Sequence, residues 1–146
     1  MINYLLKRYK QIAVIPLTVI TNTLGEYGGI YYHPESKEIL INDKYYSLSN
    51  GLILVNSGTD ERCINNCIAH EFKHHIQFCN GIEYDGIDSK KFITLNYKQR
   101  IINYIIGSKS ETDAFLFAEK IMPCSHTAQW RDWLKLTKTK LRNYKL

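Results

Sequence analysis

Short apolar runs occupy the first part of the chain, and helical spacing of apolar residues replaces them near residue 60. The runs are rich in β-branched and aromatic residues and are separated by Gly, Pro and Asn, which predicts β-strands. Helical spacing before the first run predicts a short helix at Tyr4–Ala13. The predicted strands are Leu17–Thr21, Ile30–His33, Glu38–Asn42 and Leu52–Val55. Residues 34–37 predict a hairpin turn between the second and third strands.

The second half of the chain is predicted to be helical. A long helix starts at a cap on Ser57 or Thr59 and runs to Cys79, where Asn80-Gly81 stops it. A polar loop at Ile82–Lys91 follows. Further helices are predicted at Tyr97–Ile106, from Ser110 to the residue before Pro123, and at Thr127–Tyr144. Strands that precede helices indicate the α+β class, and the absence of a linker or repeat predicts one domain over residues 1–146.

Composition narrows the class of protein. Hydrophobic residues make up 45% of the 146 residues and charged residues 23%, which is typical of a globular chain and not of a disordered one. No apolar stretch reaches the roughly 20 residues that cross a bilayer. The net charge of +5 is too small to favour nucleic acid, and the basic residues after Arg131 are interpreted as a solvated helix face. No two of the four cysteines are spaced as a CxxC pair. This pattern predicts reduced thiols in a cytoplasmic protein.

The candidate chemistry lies in residues 70–74, which read His-Glu-Phe-Lys-His. On a helix, His70 and His74 lie one turn apart on the same face, so both imidazoles can reach one ion, and histidine nitrogen suits Zn²⁺. Glu71 points in a neighbouring direction, from which its carboxylate can take a proton from a water on the ion. The alternative is a surface helix that carries two histidines by coincidence.

A catalytic zinc ion usually has three protein ligands, so a third ligand is expected on another element. Glu111 is the best candidate, because it shares an apolar row with Ala114, Ala118 and Met122, and a buried carboxylate needs a partner. The competing interpretation is a capping box that starts at Ser108, in which Glu111 folds back to the helix start. Spacing alone leaves the two open.

Residues 111–118, Glu-Thr-Asp-Ala-Phe-Leu-Phe-Ala, are followed by Ile-Met-Pro at 121–123. This segment resembles the second motif of the ImmA/IrrE-type zinc metallopeptidases, which reads ExxAxxFA and often continues to Met-Pro. The order of a strand pair, the HExxH helix and the glutamate helix is also similar, over roughly residues 10–125. The chain departs from the family in having Phe115 where Asn is common and in the segment Tyr45–Val55, which looks like extra material.

The resemblance implies a zincin-like, gluzincin-type domain with a small N-terminal β-sheet, the HExxH helix and C-terminal helices. It implies that His70, His74 and Glu111 bind Zn²⁺ and that Glu71 is the general base of a peptidase. The strand order of the family motivates a further hypothesis, that a peptide pairs with the strand at Ile39, Leu40, Ile41 and Asn42. The expected partner is a protein or peptide substrate, including a regulatory protein. The alternatives are a zincin-fold regulator that does not cleave and a basic nucleic-acid-binding protein.

Other residues have weaker claims. His75 projects about 100° away from His74 around the helix, which favours packing or exposure over function. Stabilisation of an oxyanion would need a further donor, for which Tyr84, Tyr97, Tyr104 and His126 are the candidates. A zinc site made of Cys63, Cys67 and the two histidines is rejected, because one straight helix cannot surround an ion tetrahedrally.

Overall fold

A computed structural model describes residues 1–9, 12, 14–22, 24, 28–85, 94, 96, 99, 108–124, 132 and 135. Strands precede the two longer helices, so the α+β prediction is confirmed at this level. The elements in chain order are α1 (Ile2–Arg8), β1 (Leu17–Thr21), β2 (Gly29–Tyr32), β3 (Glu38–Ile41), β4 (Lys44–Ser47), β5 (Leu52–Asn56), α2 (Glu61–Cys79) and α3 (Lys109–Ile121).

Three strands form a sheet in the order β1-β5-β2, with β5 in the centre. Strand β1 pairs with β5 in parallel, with Leu17 opposite Leu52, while β2 pairs with it antiparallel, with Gly29 opposite Val55. The central strand is almost completely buried, which explains its continuous apolar run. The predicted strand at Leu52–Val55, the last part of the segment Tyr45–Val55, is confirmed and forms the middle of the sheet.

The predicted hairpin between Ile30–His33 and Glu38–Asn42 is wrong. Strand β3 pairs instead with β4, a strand that the sequence analysis missed, and the two form a separate two-stranded sheet. The turn that joins them is Asn42-Asp43, and both residues have positive φ angles, 49° and 62°. Asn and Asp tolerate this conformation, which the tight turns of two-residue hairpins require.

The two faces of the three-stranded sheet are covered by different elements. Ile53 and Val55 of the central strand pack with Ile68 and Phe72 of α2 and with Leu5 of α1. The alternate residues Leu52 and Leu54 pack with Leu48 and with the inward residues of the β3–β4 hairpin, which are Ile39, Ile41 and Tyr46. Because side chains alternate along a strand, α2 and the hairpin lie on opposite faces of the sheet.

The N-cap of helix α2 lies one residue after Thr59 and three residues after Ser57, the two predicted caps. Asp60 is its N-cap, and its carboxylate accepts a hydrogen bond from the Cys63 amide at 2.8 Å, so neither Ser57 nor Thr59 caps the helix. The predicted stop is confirmed: the helix ends at Cys79, and Gly81 follows with a φ of +70°.

Helix α3 packs along α2, and buried Ala114 and Ala118 keep the two helices close. The predicted helix at Tyr4–Ala13 is shifted, since α1 spans Ile2–Arg8 and the backbone of Tyr9 already leaves the helical region. The predicted helices at Tyr97–Ile106 and Thr127–Tyr144 lie outside the described residues, apart from single positions. None of the described helices combines the length and the apolar character that crossing a membrane requires.

Candidate metal centre

His70 and His74 converge on one point beside α2. Their Nε2 atoms lie 3.3 Å apart, and the two rings meet edge to face with centroids 5.0 Å apart. Both residues belong to the same face because four residues make slightly more than one helical turn. Both donor atoms of this pair are imidazole nitrogens. All four cysteines of the chain are free thiols.

Glu111 approaches the two histidines from α3. Its Oε2 lies 3.1 Å from Nε2 of His70, and its Oε1 lies 3.4 Å from Nε2 of His74. Ser108 does act as the N-cap, since its hydroxyl accepts a hydrogen bond from the Glu111 amide at 3.2 Å. The Glu111 side chain, however, turns to the histidines and not back to the helix start. Of the two interpretations left open by spacing, the structure favours the one in which Glu111 faces the imidazoles.

The separations of these donor atoms can be compared with the size of a zinc site. A tetrahedral ion with bonds of about 2.0–2.1 Å holds its ligand atoms roughly 3.3–3.4 Å apart. The two imidazole nitrogens lie 3.3 Å apart, and each has one carboxylate oxygen of Glu111 at a similar distance, Oε2 at 3.1 Å from His70 and Oε1 at 3.4 Å from His74. Two imidazole nitrogens and one carboxylate are also a donor set that Zn²⁺ accepts in catalytic sites. The residues present therefore fit a zinc ion.

Glu71 also lies close to the two histidines. Its carboxylate belongs to a group with His70 and His74 in which all ligand atoms lie within 4.8 Å of one another. It also rests against β2, where a methyl group added to Gly29 would stand 2.8 Å from Oε1 of Glu71. Both glutamates are thus near the ion position, but Glu111 contacts both imidazoles directly. We therefore assign Glu111 as the candidate ligand and Glu71 as the neighbouring base.

The charges of the centre favour a cation. Glu71 and Glu111 are 8% and 7% exposed, and burial raises the pKa of Glu71 against the opposing charges of the histidines. Burial also acts to raise the pKa of Glu111, but its hydrogen bonds with His70 and His74 hold that pKa well below the usual range. Burial alone would lower the pKa of His74, yet the hydrogen bond to Glu111 and the charge of Glu71 raise it to about 9. The buried, ionised carboxylate of Glu111 needs positive charge beside it, which a protonated His74 or a bound cation can supply.

Tyr84 is the one oxyanion candidate that the described residues place at the centre. Its hydroxyl donates a hydrogen bond to Oε1 of Glu111, and its ring meets the His74 ring edge to face at 5.4 Å. Tyr84 is 60% exposed, so the residue that contacts Glu111 here is also accessible to solvent. Tyr97, Tyr104 and His126 lie outside the described residues.

Asp85 fixes the start of α3 next to Tyr84. Its carboxylate accepts hydrogen bonds from the amides of Lys109 and Ser110 at 2.9 and 3.0 Å, and from the hydroxyls of Ser108 and Ser110. The bond from the Ser110 hydroxyl is the largest cause that holds the pKa of Asp85 well below its usual range. The segment that carries Tyr84 is thereby tied to the helix that carries Glu111.

The sequence analysis missed Gln77, which is buried one turn after His74 and accepts a hydrogen bond from Nδ1 of His74 at 2.9 Å. A polar residue on a buried helix face needs hydrogen-bond partners. Gln77 could have been predicted to have such partners for that reason. His75 is fully buried on another face of α2, where its nitrogens contact the Tyr31 hydroxyl and the Val14 carbonyl at 2.8 Å. It packs rather than contributing to the centre, as predicted.

The structure does not bring the predicted peptide-binding strand to this site. Ile39 and Ile41 lie in the hairpin on the opposite face of the sheet from α2, while Leu40 is exposed there. Asn42 lies in the hairpin turn, where its amide donates to the Thr21 hydroxyl at 3.2 Å. The strand that lies beside Glu71 is β2. A peptide-binding role for residues 39–42 stays a prediction, and their location away from the two histidines does not support it.

The chain matches no protein-family model, no curated protein sequence and no solved structure. A function for the chain is therefore inferred from the residues of the site itself.

Proposed function

We propose that this chain is a zinc-dependent endopeptidase with a zincin-like fold, which hydrolyses a protein or peptide. The observation that carries the proposal is the convergence of His70, His74 and Glu111 with ligand-like separations, with buried Glu71 next to them. A purely structural zinc site usually has four protein ligands and needs no adjacent carboxylate. The proposal is tested by digesting a proteome-derived peptide library with the zinc-loaded chain. New amino termini support it, and their absence with a chain shown to hold zinc contradicts it.

Each residue of the centre has a role in the proposed reaction. His70, His74 and Glu111 hold the ion, which when bound supplies Lewis acidity toward a carbonyl group and acidifies water. Glu71 takes the proton from the water as its oxygen bonds to the carbonyl carbon, and gives that proton to the amine nitrogen as the C–N bond breaks. Burial raises the pKa of Glu71, and this direction suits the exchange because it makes the carboxylate a stronger acceptor of the proton from water.

Tyr84 is proposed to stabilise the negative charge that develops on the carbonyl oxygen. Its hydroxyl donates a hydrogen bond to Glu111, and the residue is accessible to solvent, so a substrate can reach it. Replacing Tyr84 with Phe should lower kcat by roughly 10²–10³-fold, which is the usual cost of losing one oxyanion donor, while KM and zinc content change little. Steady-state kinetics of the variant check this. Tyr4→Phe serves as the control, since Tyr4 is half-exposed on α1, where its hydroxyl accepts a hydrogen bond from Arg8.

The free edge of β2 is proposed to bind the substrate in extended form. The Asn56 amide donates to the Gly28 carbonyl at 2.9 Å, so Gly28 faces β5, and by alternation the backbones of Gly29 and Tyr31 face outward. No described strand pairs with that edge. An extended peptide can pair there by main-chain hydrogen bonds, next to Glu71.

Amide hydrogen exchange distinguishes β2 from the strand predicted by sequence. With a cleavable peptide bound to the inactive Glu71→Gln protein, the amides of Gly29 and Tyr31 should exchange more slowly than in the free protein. The amide of Leu40 in β3 should keep its rate, since it lies on the other side of the sheet. Slower exchange at Leu40 with no change at Gly29 and Tyr31 would instead assign the peptide to β3.

A further inference from the structure

Gln77 connects the two helices that carry the candidate ligands. Its side chain is 5% exposed and makes three hydrogen bonds. Its Oε1 lies 2.9 Å from Nδ1 of His74, and its Nε2 lies 3.0 Å from both the Ser110 carbonyl and Oδ2 of Asp113. Both N–H groups of its amide therefore donate to residues of α3, and its amide oxygen accepts from a residue of α2.

The partners of Gln77 determine how its amide is oriented. The Ser110 carbonyl and the Asp113 carboxylate can only accept hydrogen bonds, so the group that faces them must be the amide NH₂. The amide oxygen consequently faces His74, and an oxygen can only accept. His74 must then carry a hydrogen on Nδ1, which leaves Nε2 of the neutral ring with its lone pair. That nitrogen is the one that faces His70 and Glu111.

Gln77 also sets the spacing between the helices. Ser110 directly precedes Glu111, and Asp113 follows it by two residues, so the two acceptors of the Gln77 amide flank the candidate ligand. Asp113 is held in turn by Lys73, whose ammonium lies 3.4 Å from the same Oδ2. A single side chain thus reaches the ring of one ligand and the backbone beside another.

We infer that Gln77 is a positioning residue of the metal centre, which fixes the tautomer and direction of His74 and the approach of Glu111. The inference rests on the proposed metal-binding function of the same site. Partners that hold the second nitrogen of a ligating histidine raise metal affinity by orienting the ring before the ion binds. Gln77 extends that role to a second ligand through Ser110.

The test is the zinc affinity of the full chain with Gln77→Leu, measured by competition with a chromophoric chelator. The expected result is a Kd for zinc that is roughly 10–100-fold weaker than in the wild type. Asn66→Leu is the matched control. Asn66 is equally buried on α2 and donates to the Met122 carbonyl at the end of α3 at 2.8 Å, but it touches no candidate ligand. Its loss should lower stability without changing the zinc Kd.

A second measurement uses the wild-type chain and keeps the inference testable if Gln77→Leu does not fold. Nitrogen NMR of the zinc-loaded protein should show a slowly exchanging proton on Nδ1 of His74. A proton on Nε2, or a Gln77→Leu protein that binds zinc as tightly as the wild type, overturns the role of Gln77 and leaves the metal site standing. A wild-type chain that binds no zinc overturns both.

Discussion

Replacing Glu71 with Gln is expected to abolish measurable hydrolysis while leaving the zinc content of the chain unchanged. Glutamine has nearly the shape of glutamate but cannot take a proton from water, so the step that forms the attacking oxygen loses its base. Loss of a positioned acid or base typically costs 10²–10⁴-fold in rate. The substitution also removes a buried carboxylate, which should not weaken folding, because burial already disfavours the charged form of Glu71.

The measurement is the rate of peptide cleavage together with zinc per chain by elemental analysis. Glu61→Gln is the control, since Glu61 is exposed at the first turn of the same helix and its loss should leave the rate unchanged. If Glu71→Gln retains cleavage at the wild-type rate, Glu71 is not the base. If it loses both cleavage and zinc, Glu71 is a ligand rather than the base.

Replacing Glu111 with Ala is expected to have the largest effect on metal binding. The variant loses the one carboxylate that lies within 3.4 Å of both imidazoles, and a site with two remaining ligands should weaken by more than the roughly 10–100-fold that an outer partner costs. The same change removes the hydrogen bond that is the largest of the causes raising the pKa of His74, so that pKa should fall from about 9.

The zinc Kd of the Glu111→Ala chain and its thermal unfolding check this expectation together. Glu119→Ala is the matched control, because Glu119 is also a buried glutamate of α3 but lies two turns, about 12 Å, further along the helix. If zinc binding survives in Glu111→Ala and is lost in Glu119→Ala, the third ligand is Glu119 at the far end of α3, and the assignment of Glu111 is wrong.

Local spacing explains what the sequence could predict about the site. His70 and His74 share a helix face whatever the rest of the chain does, because the period of a helix is set within one turn. Glu111 could be proposed because a carboxylate on an apolar row needs a partner, although spacing could not exclude the capping box. Gln77 obeys the same rule and was overlooked, since its partners lie on a helix 33 and 36 residues away in the chain.

Strand pairing was the part that the sequence could not determine. Four of the five strands were located to within one residue at each end and β4 was missed, but β2 pairs with β5 across the intervening β3–β4 hairpin. Strands that are adjacent in sequence are the simplest partners. The apolar runs at 30–33 and 38–42 are adjacent and therefore fit a hairpin, although they do not pair with each other. The Asn42-Asp43 turn was the available signal for the true hairpin, and it also moves the strand at 38–41 away from the site.

Zinc K-edge X-ray absorption of the zinc-loaded full chain tests most directly whether these residues hold the ion. The account predicts a shell of nitrogen and oxygen at about 2.0–2.2 Å with the scattering pattern of two imidazoles, and a loss of imidazole scattering in His70→Ala and in His74→Ala. A sulfur shell at about 2.3 Å, or a spectrum with the imidazole signal unchanged in His70→Ala and His74→Ala, would contradict it.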